Sequence, residues 1–96
     1  MEHKTWKAAR YDERTIEKIR KMTKRNDHNN AYIEGCKMIG ARQLGKKFEL
    51  VEGLNRLEGH LPHQLSEYRY SLYQDMMKAA ERSLSPDEYK EFYRSF

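Results

Sequence analysis

Histidine, cysteine and carboxylate side chains could bind a metal or move a proton, and in this 96-residue chain they are scattered. His60 and His63 stand three apart around Pro62, while His3, His28 and Cys36 lie elsewhere. Zinc sites combine two closely spaced His/Cys pairs, and no second pair occurs here. His60 and His63 therefore read as polar loop residues. There is no Gly-rich phosphate loop, no Gly-x-Ser-x-Gly elbow and no His-Glu-x-x-His pair. The acids fall mostly on what would be solvated faces, which leaves paired-carboxylate chemistry without support. The expectation is a protein that is not an enzyme and that uses neither a metal nor a cofactor.

Cations are better organised. Arg14, Lys18, Lys21 and Arg25 recur at helical spacing, and Lys7 and Arg10 would join them if the helix extended back that far. A row of long cationic side chains is what tracking a phosphate backbone requires, through many salt-sensitive contacts. Trp6 and Tyr11 stand nearby and could stack on unpaired bases. The plainer reading is a solvated helix face, partly neutralised by Glu13 and Glu17. A second basic group, Arg42, Gln43, Lys46 and Lys47, would open a helix after Gly40. Its outline resembles a helix-turn-helix, although a single turn glycine is a poor match to that motif's spacing.

Arg69 is the most unexpected residue, because the helical phase places it among Leu65, Leu72, Tyr73 and Met76. Charged side chains are almost never fully buried without a partner. It should either pair with a carboxylate such as Glu58 or Glu52, or lay its stem on the core with its head in water. The alternative is an arginine offered to a partner, since Arg and Tyr are enriched at binding hot spots. Tyr68, Tyr70, Tyr73, Tyr89, Phe92, Tyr93 and Phe96 crowd the same third of the chain. Most must be core, but the surplus points to a docking or self-association surface. Arg69, Tyr70, Tyr89, Phe92 and Tyr93 are its expected contacts.

The elements that position these residues are helices. No alternating run or Asn-Gly turn signals a strand. A first helix is predicted from about Asp12 to Lys24, capped by Asp or Thr side chains. A turn is predicted over residues 25–30. Residues 31–58 carry one apolar stripe interrupted by glycines, and predict two helices breaking near Gly40, with one long bent helix as the alternative. Gly59 and Pro62 punctuate the next boundary. His63 to about Leu84 is the strongest helical segment. Ser85-Pro86-Asp87-Glu88 then spells a capping box opening a last helix. The fold class is all-α, a small bundle of four to five short helices, with residues 1–96 as one domain and 1–10 as a possible flexible basic arm.

Composition bounds the function. The chain is 35% charged and 38% hydrophobic, but its eleven aromatic residues argue against disorder. One cysteine cannot form an internal disulfide, and no apolar run approaches a membrane span. Residues 1–25 hold nine Lys/Arg against four Asp/Glu, whereas the rest of the chain is nearly balanced. A cationic end and an aromatic end together point to a small cytoplasmic regulator or inhibitor, of a cell or an infected host, that binds a protein or protein–nucleic-acid complex. In general type it is similar to small phage-encoded proteins that redirect a host complex. The other readings are a direct DNA- or RNA-binding module and a homo-oligomeric assembly protein. No segment carries a signature specific enough to name a family.

Overall fold

In the computed structural model the backbone is described over residues 11–58 and 62–96, and the side chains over 11–54 and 65–96. Five helices follow one another: α1 (Glu13–Lys24), α2 (His28–Met38), α3 (Arg42–Glu58), α4 (Pro62–Ser83) and α5 (Pro86–Arg94). No strand occurs among the described residues. The expected basic arm, residues 1–10, lies outside them.

Local chemistry explains the boundaries. The Asp12 carboxylate accepts from the Arg14 amide at 3.3 Å and the Thr15 hydroxyl at 2.8 Å, which caps α1. These hydrogen bonds hold the Asp12 carboxyl below its usual range. The following turn is shorter than residues 25–30. Asn26 takes a left-handed φ of 62°, which reverses the chain within one residue. His28, Asn29 and Asn30 are thereby freed to form the first turn of α2, with Asn30 Nδ2 donating to Asp27 at 2.9 Å.

The break at Gly40 is real, and the one-helix alternative is set aside. Gly40 has φ 75°, with its amide on Lys37 O at 3.2 Å and the Ala41 amide on Cys36 O at 2.9 Å. That double bond is a Schellman ending, and it needs a residue free of Cβ strain. At α5 the capping box is complete: the Glu88 amide donates to Ser85 Oγ at 3.2 Å, and the Ser85 amide donates to Glu88 Oε1 at 3.1 Å.

Helix α2 is the centre of the bundle, packing against α1, α3 and α4, while α4 also packs on α3 and α5. Ile16 and Ile19 of α1, Cys36 of α2, Phe48 and Val51 of α3, Met76 of α4 and Phe92 of α5 are fully buried. At the α2–α3 contact a Cβ on Gly45 would stand 3.4 Å from Cys36 Cβ, an ordinary van der Waals distance. The backbone measures 43 × 28 × 16 Å. A thickness of 16 Å is that of two helices in contact, given axes about 8–10 Å apart. Every helix therefore has one face on the core and another at the surface.

Candidate interaction surface

The expected aromatic surface is assembled from three helices. Tyr73 of α4 sits at its middle: the Tyr32 ring of α2 is 5.5 Å away, Tyr70 stacks at 6.5 Å, and Phe96 meets it edge-on at 6.5 Å. Tyr32 also lies 5.5 Å from Phe96 and 5.0 Å from the buried Phe48, which ties the patch to the core. Tyr89 and Tyr93 of α5 pair at 6.3 Å. Burial raises the Tyr73 phenol above its ordinary value, and Tyr93, Tyr32, Tyr89 and Tyr70 each add to the rise. Tyr32, Tyr70 and Tyr73 thus form one ring cluster, and Tyr89 and Tyr93 pair on α5, which packs against α4. Tyr70 is 62% exposed and Tyr93 54%, whereas Tyr32, Tyr73, Tyr89 and Phe96 are half-buried.

Phe92 belongs elsewhere. It has no exposed surface and packs edge-on against Phe96 at 5.1 Å, so it supports the face from below rather than meeting a partner. Its helical phase points inward, and the surplus of aromatics around it hid that. Tyr68, 40% exposed, lies on the other flank of α4.

Arg69 is half-buried, and its positive charge partly offsets the burial that raises the Tyr32 phenol. It makes no ion pair or hydrogen bond among the described residues. Of its two expected partners, Glu52 accepts from Asn29 Nδ2 at 3.0 Å. The side chain of Glu58 lies outside the described residues. Of the alternatives set out from sequence, the snorkelling stem fits best.

On α1 the cations Arg14, Lys18, Lys21 and Arg25 are all exposed on one side, and Lys7 and Arg10 lie outside the described residues. Lys18 reaches Glu34 of α2 at 3.8 Å, which blunts the row at its middle. Arg20, which the stripe omits, borders the apolar face and donates to Glu91 of α5 at 2.6 Å. Its signal was in the sequence: it follows Ile16 by four residues and Ile19 by one, the same anomaly that singled out Arg69.

At the α2–α3 corner, Lys37, Arg42 and Lys46 share an open groove of about 640 Å³ with Glu49. Arg42, Gln43, Lys46 and Lys47 are exposed. The spacing Gly40-x4-Gly45-Lys46 also reproduces most of a phosphate-loop signature, ending in Lys47 where Ser or Thr is required. The backbone decides against that reading. Gly45 lies inside α3, so its amide bonds to Ala41 O at 3.0 Å instead of facing a ligand.

The one cysteine of the chain is buried in the core. Burial pushes the Cys36 thiol up to about 12, so it stays protonated at neutral pH. Among the described residues no group of three or more His, Cys, Asp or Glu could hold a metal ion, and no helix is long and apolar enough to cross a membrane. Compared with known protein families, curated proteins and solved structures, the chain matches none significantly.

Proposed function

We propose that this chain is a small regulator or inhibitor without catalytic activity, which captures a protein or protein–nucleic-acid assembly through its tyrosine face. The observation that carries the reading is the Tyr32, Tyr70 and Tyr73 ring cluster with the Tyr89–Tyr93 pair on the adjoining α5, Tyr70 and Tyr93 being more than half exposed. Tyrosine supplies a large, rigid, amphipathic contact at low entropic cost, and it is enriched in hot spots. Exposed rings backed by half-buried ones are what an interface core needs before a partner arrives. The cationic side of α1 would speed the encounter with an acidic assembly. Such a protein would act in the cytoplasm, of a cell or of an infected host.

A pull-down from nuclease-treated lysate, in parallel with an untreated one, tests this. A protein partner should survive nuclease and moderate salt. Tyr70→Ala with Tyr93→Ala should weaken its capture by about 2 kcal/mol or more while helix content stays the same. Undiminished capture by that variant would remove the tyrosine face from consideration.

A second reading is direct binding of DNA or RNA. It is favoured by Arg14, Lys21 and Arg25, exposed and without an ion pair among the described residues. It requires recovery of nucleic acid alone, lost on nuclease treatment. Affinity should then fall with salt by about one unit of log–log slope per phosphate contacted. Arg14→Glu, Lys18→Glu and Lys21→Glu together should abolish it.

A further inference from the structure

Arg69 is a half-buried cation of α4, one residue before the exposed Tyr70. Its neighbours are Leu65 and Leu72, both buried, and Tyr73 one helical turn on. Tyr32, across on α2, feels its charge. Tyr32 and Tyr73 are themselves 5.5 Å apart. An arginine whose stem lies on the core while its head reaches water is placed to take a carboxylate at that head. Here none is in ion-pair reach among the described residues.

Resting on the docking role proposed above, we propose that Arg69 is the anion-binding point of the tyrosine face. The segment it receives is an acidic, apolar peptide stretch of the partner, with one Asp or Glu carboxylate set on the guanidinium. Charge complementarity selects a carboxylate over a phosphate. One arginine balances one carboxylate and matches its two oxygens with a planar fork. A dianionic phosphate is ordinarily held by a cluster of arginines. The surrounding phenols suit the same ligand: their rings cover apolar side chains on either side of the acid, and their hydroxyls can donate to its oxygens. Docking would complete the removal of Arg69 from water and supply the missing counter-charge in the same step.

The role separates cleanly from a structural one. If Arg69 served the fold, its loss would destabilise the bundle. If it waits for a ligand, Arg69→Met, which keeps the apolar stem and removes the unpaired charge, should unfold at the same temperature or higher. The same variant should lose ligand.

The test is a selection of random peptides of roughly twelve residues, the length of one docked segment, displayed against the immobilised wild-type chain. The Tyr70→Ala, Tyr93→Ala variant serves as counter-selection. Enriched peptides should carry Asp or Glu beside Leu, Phe, Tyr or Trp. A synthetic copy of the strongest should bind wild-type about tenfold or more tighter than Arg69→Met, with Arg69→Lys between them. Replacing its acid by the amide should lose a similar factor on wild-type and little more on Arg69→Met. Peptides without an acid, or an acidic peptide held equally by Arg69→Met, would overturn this inference and leave the docking face standing. No enrichment over the counter-selected variant would bring down both.

Discussion

A glycine inside a helix ordinarily weakens it by about 1 kcal/mol relative to alanine, yet Gly35 and Gly53 face opposite consequences. A Cβ on Gly53 would meet nothing within 4 Å, so Gly53→Ala should raise stability by up to about 1 kcal/mol. A Cβ on Gly35 would stand 2.8 Å from Phe96 and 3.2 Å from Phe92. Phe92 is fully buried and cannot retreat, so overpacking of about 1–3 kcal/mol should exceed the helical gain and make Gly35→Ala a net loss. Urea denaturation of the two variants checks both signs. Read from sequence, Gly35 is only an interruption; the rings against it belong to Phe92 of α5 and to Phe96 just beyond that helix, some sixty positions on, which no local pattern reveals. Cys36 makes a different prediction at the same scale. Burial raises its thiol from the ordinary thiol range to about 12. A group raised in the fold stabilises fully below its unfolded value, and that contribution is lost as pH rises towards the folded one. Stability should therefore hold to about pH 9 and then fall by up to about 1.4 kcal/mol per unit. The tyrosines with raised phenols, Tyr32 and Tyr73, steepen the fall above pH 10. Urea midpoints at pH 8 to 11 should show a shallower decline for Cys36→Ala than for wild-type. Equal slopes would mean that the thiol has water beside it.

At the scale of elements, the legible features were those whose partners lie within four residues. Asp12 capping α1, the break at Gly40 and the Ser85 box are local hydrogen-bond problems with local answers, and each is where the residue types place it. The start of α2 was misplaced because Asn26 could absorb the whole reversal, and composition alone does not tell a left-handed Asn from a turn of several residues. The link between α1 and α5 was out of reach: Arg20 and Glu91 are 71 positions apart. Both side chains are about 40% exposed, so their 2.6 Å contact contributes about 1 kcal/mol at most, and it serves chiefly to orient. Ser85 offers a sharper test. It caps the short helix that carries Tyr89 and Tyr93, and Ser85→Ala removes the acceptor for the Glu88 amide. The loss should be about 1 kcal/mol. Amide exchange should quicken in the first turn of α5 before it quickens in α3. A uniform change across all helices would mean that α5 has no independent hold on its own start.

Across the whole molecule, the charge partition was visible at once and the shape of the aromatic face was not. Nine basic residues crowd positions 1–25, and a count finds them. The tyrosines, by contrast, sit at positions 32, 70, 73, 89 and 93, and only the packing of α2, α4 and α5 unites them. Phe92 shows the cost of reading composition without packing: it was counted with the surface and is core. A cationic side on α1 and a tyrosine face on α4–α5 imply a division of labour that rates can expose. Exposed charges act on encounter through a field that salt screens beyond about 10 Å, whereas packed aromatic contacts act on escape. With a captured protein partner, Arg14→Glu, Lys18→Glu and Lys21→Glu together should slow association by about tenfold at low salt and leave dissociation nearly unchanged. Tyr93→Ala should do the reverse, speeding dissociation with association intact. Raising salt should bring wild-type and the triple variant together in rate but leave Tyr93→Ala distinct. Should the triple variant instead fail to bind at any salt, α1 would be the primary contact, and the protein would be a reader of phosphate backbones whose tyrosine face serves another purpose.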